Sequence, residues 1–352
     1  MKKDLKSMTM EELSTYILSI GEPKFRAKQI FKWLHRGVRR FDEMTDLSKP
    51  LQAKLDNDAY ITTLKIFKRF KSQLDDTVKY LFQLEDGNII ETVAMSYHHG
   101  YSICISSQVG CRMGCAFCQS TKNGLVRSLT AGEILDQIIK VQEDLGVRIS
   151  NIVMMGIGEP LDNFDEVIRF LKNVNNPDGI NIGYRHISLS TCGLIPQIDR
   201  LAEYELPITL SISLHATNDE KRSQIMPINR KYHIDQLIDA CRKYQEQTGR
   251  RISFEYAVID GVNDRYENAK ELKDLLKGLL CHVNLIPVNP IEDGVFRPPS
   301  RKNILGFQET LIKMGLNATI RRTLGGDISA SCGQLRHQAS EKEGIGLENH
   351  QQ

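Results

Sequence analysis

No apolar run in the chain approaches the roughly 20 residues that a bilayer-spanning helix needs. The basic opening, Met1 to Ser7, has no apolar stretch behind it and does not read as a secretory signal. Net charge is scarce as well. With 46 basic against 44 acidic residues the balance is +2, so bulk electrostatics announce no nucleic-acid partner. Disulfide-framework spacing is missing too: eight cysteines in 352 residues with no secretion signal do not make a stapled scaffold. There is no solenoid-type repeat. These absences lead us to expect a cytosolic location. What is present is ordinary globular composition, 41% hydrophobic and 26% charged, enough for a large core in about two domains.

The chain changes rhythm along its length. Met8 to Ile20 and Lys24 to Gly37 carry helical periodicity, the first opened by Thr9 with Glu12 three residues on, a capping-box pattern. Asp56 to Leu64 and Thr77 to Phe82 read as short extended or helical pieces. Tyr80 to Leu84 and Ile89 to Val93, joined across Asp86-Gly87, read as a β-hairpin. From about Ser102 strand and helix alternate. Expected strands are 102–106, 151–156, 186–190, 208–214, 252–258, 282–288 and 317–321. Expected helices are 131–145, 164–174, 197–203, 234–247, 266–276 and 303–314, and Thr130 with Glu133 marks another capping box. The alternation predicts an α/β fold, a partial (β/α) barrel with a parallel sheet. We expect a small N-terminal helical and hairpin accessory domain over 1–90, the barrel over 91–337 and a polar tail over 338–352.

Charge is more informative locally. Lys24, Arg26, Lys28, Lys32, Arg36, Arg39 and Arg40 form one basic stretch. A second, Lys65, Lys68, Arg69 and Lys71, is interleaved with Phe67 and Phe70. Basic residues at helical spacing with aromatic neighbours can track a phosphate backbone, and they equally suit a solvated helix face.

The sharpest signal is Cys111-Arg-Met-Gly-Cys115-Ala-Phe-Cys118, directly after the first strand of the alternating region. Three thiolates so close are soft ligands suited to iron–sulfur or zinc. A structural zinc site usually has four protein ligands, and no fourth Cys or His lies in the loop. Three cysteines can hold three irons of a [4Fe–4S] cluster and leave the fourth iron open. Barrel active sites gather at strand carboxyl ends. There the chain reads Gly156-Ile-Gly158-Glu159-Pro160, Ser190-Thr191-Cys192-Gly193, Ser213-Leu214-His215 and Asn289-Pro290. Together they outline a pocket for a polar ligand in which Glu159 can receive an ammonium; His215 alone reads more readily as a hydrogen-bonded structural histidine. Cys104 lies seven positions before the first loop cysteine, and Cys332 sits in a glycine-bounded loop after the last strand. A thiolate can accept a methyl from a sulfonium, and a facing thiol can act as base and then as disulfide partner. A buried core cysteine is the plainer reading of either, and Cys241 and Cys281 read as core.

The three-cysteine spacing resembles the radical S-adenosylmethionine (SAM) superfamily. Longer stretches resemble the RlmN/Cfr family of radical SAM RNA methyltransferases: Cys104 to Cys111, the cysteine run, Gly156 to Pro160, Ser213 to Ala216, Arg222 to Asn229, His282 to Pro287 and Asp327 to Leu335. One departure is Ser329-Ala-Ser331, where the family commonly has Asp-Ala-Ala. The resemblance implies a [4Fe–4S] cluster on Cys111, Cys115 and Cys118, with SAM at the open iron. Its SAM contacts would fall on Gly158, Glu159, Ser190, Ser213, Leu214, His215 and Asn289. One SAM would methylate Cys332. Reductive cleavage of a second would give a deoxyadenosyl radical that takes a hydrogen from that methyl, and the carbon radical adds to adenine. Cys104 would assist proton removal and resolve the adduct through a disulfide with Cys332. Glu91 matches the family's proton acceptor, though a plain hairpin carboxylate reads equally well.

The resemblance also implies substrates and partners: C2 of adenine 2503 in 23S rRNA, possibly C2 of adenine 37 in tRNA, and an electron donor such as flavodoxin or ferredoxin. A monomer with no membrane attachment is expected. Pro160 and Cys192 resemble the C2 branch, where the C8 resistance branch tends to have Ala and Ile. The other readings are C8 methylation, a radical SAM enzyme with a non-RNA substrate, and a zinc-stabilised RNA-binding module.

Overall fold

A computed structural model describes residues 2–98, 100–291 and 294–335; the expected tail, 338–352, lies outside the described residues. Near the start, β1 (Lys3–Asp4) pairs in parallel with β2 (Ala59–Tyr60), and three helices fill the interval: α1 (Met10–Ser19), α2 (Phe25–His35) and α3 (Lys49–Asp58). The Thr9 capping box forms as read, with the Glu12 N–H donating to Thr9 Oγ1 at 3.2 Å and the Thr9 N–H to the Glu12 carboxylate at 2.8 Å. Leu13, Ile17, Ile30, Phe31, Leu34, Phe41, Leu51 and Leu55 close around one another as a separate small core.

Ten strands make the main sheet, ordered β14-β13-β12-β11-β10-β9-β6-β5-β4-β3. Antiparallel β3 (Lys65–Lys71), β4 (Val78–Gln83) and β5 (Ile89–Tyr97) form one wing, joined through β6 (Gly100–Cys104). The short ribbon β7 (Gln108–Gly110) and β8 (Leu125–Ser128) frames the cysteine loop. Then α4 (Ala131–Leu145), β9 (Ile149–Met154), α5 (Phe164–Asn175), β10 (Ile187–Thr191), α6 (Ile195–Glu203) and β11 (Thr209–Ser213) alternate. After α7 (Asp219–Ile225) and α8 (Ile234–Thr248) come β12 (Ile252–Val258), α9 (Tyr266–Leu275), β13 (Cys281–Pro287), α10 (Arg301–Lys313) and β14 (Ala318–Ile320). From β6 to β14 every neighbouring pair is parallel and sequential, which is the open (β/α) barrel expected.

Three details differ from the reading of the sequence. The expected domain division after residue 90 falls inside β5, whose hydrogen bonds run to β4 on one side and β6 on the other. The hairpin therefore extends the barrel sheet, and the separate small core ends near residue 61. The basic segment Lys65–Lys71 is not helical but the sheet's edge strand, almost wholly exposed. Within the first basic stretch, Lys28 and Lys32 reach Asp178 at 3.0 and 3.5 Å and Arg39 reaches Glu143 at 3.0 Å. Those cations fasten the helical unit to the barrel.

The unit's main anchor is buried. Lys6, 1% exposed, donates to Asp136 of α4 at 2.6 Å, and the other Asp136 oxygen accepts the Leu64 N–H at 2.7 Å. Removing one partner of such a pair strands a charge away from water, at a cost of about 3–5 kcal/mol. Urea unfolding followed through Trp33, the single tryptophan, is expected to show that loss for Lys6→Met and partial recovery for Lys6→Met/Asp136→Met. His35 provides a pH signature. Burial pushes its pKa down to about 4 from the ordinary 6.5. Between those values the unfolded chain binds a proton that the folded chain refuses, so stability is fully present above about pH 6.5 and erodes as pH falls towards 4. Urea midpoints at pH 7 and pH 5 are expected to differ less in His35→Gln than in the parent.

Candidate active site

The cysteine loop is shaped at its entrance by Gly110. Its φ is +75°, and a Cβ there would lie 2.0 Å from the Gly124 carbonyl oxygen, so only glycine fits. The loop then lies between two supports. On one side the Ala116 N–H donates to Ile225 O of α7 at 2.9 Å. On the other, the Gln119 N–H donates to Gly333 O at 2.8 Å and Ser120 Oγ to Leu335 O at 2.6 Å. Cys111, Cys115, Cys118 and Cys332 consequently line one cavity at the carboxyl ends of the parallel strands. Burial, reinforced by charges from neighbouring groups, pushes the loop thiols up, Cys111 to about 12 and Cys115 well above its ordinary value. Three buried soft donors that oppose one another's ionisation suit a cationic cluster, whose binding would expel their protons.

The same cavity is lined by Gly158, Glu159, Ser190, Ser213, His215 and Asn289. Gly156 and Gly158 pass too close to other backbone for any side chain: a Cβ would meet Ile105 O at 2.6 Å and the Gln108 nitrogen at 2.8 Å. Glu159 is held on every side. Its two oxygens accept the N–H groups of Leu161 at 3.1 Å and Cys192 at 2.8 Å, and its own N–H donates to Gln108 Oε1 at 2.9 Å. Ser190 and Ser213 hydroxyl oxygens lie 3.5 Å apart on adjacent strands. His215 is buried, its pKa pushed down to about 3, and its Nδ1 accepts the Ala257 N–H at 2.9 Å. The neutral ring therefore carries its proton on Nε2, with the edge of Phe117 packed against it at 4.7 Å. It is the hydrogen-bonded histidine expected, and it also faces the cavity.

Leu214 departs from this pattern. Its side chain is fully buried away from the cavity lining, and its backbone serves Glu255 and Arg222 instead. Asn289 acts on the loop thiol's own segment, its amide donating to Cys332 O at 2.9 Å.

Cys104 ends β6 beneath that segment. Burial pushes its thiol up to about 12, and it packs in one apolar cluster with Ala330 and Leu335, which flank Cys332 in sequence. All eight cysteines are free thiols. Arg321 lines the same cavity as Cys332 and donates to Met155 Sδ at 3.0 Å, its pKa raised first by Cys332, with Glu255 and Cys104 adding to it. Glu91 is buried on β5 and lies 3.7 Å from Lys79 Nζ, which also donates to Ser329 O at 3.4 Å. It lines a second cavity with Phe70, Gln119, Asp327 and Gln334, bounded by residues on both sides of Cys332 in sequence.

Sequence reasoning missed several lining or supporting groups. Arg321 was findable, because it closes the last expected strand and the strand-end rule applies to it. Cys192 and Gln108 lie inside motifs already singled out. Glu255 lies mid-strand, and Arg222 acts through tertiary bonds that no local pattern shows.

Comparison with known proteins agrees with this geometry. Residues 105–272 match the radical SAM superfamily, and residues 3–61 match the ribosomal RNA large subunit methyltransferase N-terminal domain. A probable dual-specificity RNA methyltransferase RlmN from Alkaliphilus oremlandii is 60% identical over 335 residues, covering 95% of this chain and 98% of that one. Its counterpart from Clostridium novyi is 53% identical over 95% of this chain and 98% of that one. The crystal structure of a radical SAM methyltransferase from Sphaerobacter thermophilus superposes with a TM-score of 0.90 at 45% identity, over 95% of this chain and 99% of that one. With likeness of that extent at both ends of the chain, the protein belongs to the RlmN family within the radical SAM superfamily.

Proposed function

We infer that this protein is a dual-specificity radical SAM methyltransferase that adds a methyl group to C2 of adenine in 23S rRNA and in tRNA, carrying it through methylated Cys332. The observation that bears most weight is the shared cavity of Cys111, Cys115, Cys118 and Cys332, with Cys104 packed in the cluster that includes Ala330 and Leu335 on either side of the last. A [4Fe–4S] cluster on the three loop cysteines, with SAM at its open iron, supplies one-electron cleavage of the sulfonium and so a hydrogen-abstracting radical.

The protein's own groups do the rest. Glu159, fixed by three hydrogen bonds, and the Ser190 and Ser213 hydroxyls present polar atoms to the ligand's amino acid and ribose. Neutral His215 offers its Nε2–H as a donor. Asn289 holds the Cys332 segment over the cavity. Cys332 takes the methyl as a thiolate nucleophile, and Arg321 lines the same cavity. Once a methylene joins Cys332 to the base, the Cys104 thiolate attacks the Cys332 sulfur: the S–S bond forms as the S–CH2 bond breaks, and the departing carbanion, delocalised into the adenine ring, takes a proton from solvent to complete the methyl group. Glu91, which lines the second cavity, is the proton acceptor in this reading. An adenine amidine carbon is electron-poor and resists polar methyl transfer, which is why a radical route is needed. Pro160 and Cys192 support C2 over C8.

RNA is met by the helical unit and by the exposed edge of β3, where Lys65, Lys68, Arg69 and Lys71 flank exposed Ile66 and Phe67. No described helix is long and apolar enough to cross a membrane. The reading also includes a monomer in the cytoplasm, where a flavodoxin or ferredoxin reduces the cluster and thiols reopen the disulfide.

Mapping the modified adenine in RNA from cells lacking and regaining the protein tests the whole reading, and a C8 product would replace the C2 assignment. Cys332→Ala is expected to abolish RNA methylation while keeping Fe/S absorption and dithionite-driven SAM cleavage. Unchanged methylation would end the carrier role. Cys104→Ala is expected to leave RNA covalently attached to Cys332, visible as a protein–RNA band on a denaturing gel.

A further inference from the structure

Arg222 of α7 is 1% exposed and heads the fully buried large side chains among the described residues. Its guanidinium donates to Leu214 O at 3.1 Å, Asn229 Oδ1 at 3.0 Å, Cys192 O at 2.7 Å and Ser213 O at 3.0 Å. All four acceptors are neutral. Asp219 is reached only through Asn229, whose amide donates to it at 2.9 Å. A guanidinium stays charged even when buried, and leaving such a charge without a carboxylate costs several kcal/mol unless another negative group faces it. Two of its acceptors belong to Cys192 and Ser213, which line the cavity that also holds Cys111, Cys115 and Cys118, so the guanidinium sits directly behind that cavity's wall. The cysteine loop is moreover bonded to the same helix, Ala116 N–H to Ile225 O at 2.9 Å.

We propose that Arg222 is the buried counter-charge of the iron–sulfur cluster and sets its reduction potential. The inference rests on the reading that Cys111, Cys115 and Cys118 hold that cluster. Three thiolates on a doubly charged [4Fe–4S] core leave one net negative charge, and accepting an electron makes it two. A fixed cation in a low-dielectric wall favours the more negative form, so the electron is accepted at a higher potential than in a neutral wall. Arg222 is a positioning residue in this sense, acting on the cluster through its thiolates. Its bonds to the ends of β10 and β11 also shape the cavity, so the test must separate charge from shape.

The parent, Arg222→Met, Arg222→Lys and Asn229→Asp are reconstituted anaerobically, assayed for iron and sulfide, and titrated with redox mediators while EPR follows the reduced cluster. Arg222→Lys keeps the charge and is expected to keep the midpoint near the parent's. Arg222→Met removes the charge, and Asn229→Asp leaves the arginine in place but pairs it with a carboxylate. Both are expected to move the midpoint to more negative potential at full cluster content. A parent-like midpoint in Arg222→Met overturns the proposal. If that variant does not hold a cluster, Asn229→Asp decides, and an unshifted midpoint there overturns it equally. A parent protein whose iron and sulfide survive mutation of the three loop cysteines would instead defeat the reading of the site, an outcome recognisable before any potential is measured.

Discussion

Two hydrogen bonds hold the chemistry together: Gln119 N–H to Gly333 O and Ser120 Oγ to Leu335 O, the latter spanning 215 positions of sequence. They seat the Cys332 segment directly on the cysteine loop. Cys332 thereby shares a cavity with Cys111, Cys115 and Cys118, and hydrogen bonds rather than a covalent link keep it there. Asn289 contributes a third tie from the end of β13, bonding the Cys332 carbonyl. Ser329, with φ +50°, and Gly333, with φ +80°, give the segment the left-handed turns it needs to present the sulfur inward. The geometry is that of a strap, closed by backbone bonds that a reaction cycle can loosen without unfolding the sheet.

Beneath the strap, the cavity wall is unusually charged for a buried surface. Glu159 and Glu255 are buried, Arg321 is half-buried and Arg222 is buried just behind the wall, and each is satisfied differently. Glu159 is held by backbone N–H groups and Glu255 by Asn284 at 2.7 Å and Ser253 at 3.2 Å. Arg321 donates to Met155 Sδ at 3.0 Å, and Arg222 is held by backbone carbonyls and Asn229. Truncating any one of them would strand the buried polar atoms it satisfies. Their placement makes sense as preorganisation, since polar atoms fixed before the ligand arrives need no rearrangement when charge moves.

Much of this was legible before any coordinates. The parallel strands and their helices emerged to within a few residues because they alternate β-branched runs with strongly amphipathic segments, and the Thr9 and Thr130 boxes mark helix starts chemically. The strand-end rule found Gly158, Glu159, Ser190, Ser213, His215 and Asn289, because the parallel order delivers every carboxyl end to one rim. It erred at Leu214, since alternate residues of a strand end face opposite ways and only Ser213 and His215 turn to the cavity. The edge strand Lys65–Lys71 was illegible for a different reason. Exposed on both faces, it carries no apolar alternation, and only pairing with β4 makes it a strand. α7 was missed because seven mostly polar residues hold a helix only through the Asn218 cap and the tertiary bonds of Arg222.

The division of basic charge follows from the same docking. Lys6 is consumed by Asp136, and Lys28, Lys32 and Arg39 are engaged by acids of the barrel. A stretch that looks like a phosphate-binding face in sequence is therefore, in large part, an internal fastening. The edge strand β3 is the other basic surface: it is last in the sheet order, Arg69 reaches Asp144 at 3.4 Å while the neighbouring lysines are exposed, and Phe70 lines the cavity that holds Glu91. An edge strand dense in lysine and arginine resists pairing with another sheet while remaining attractive to a polyanion. One charge density thus accounts for both properties of this edge.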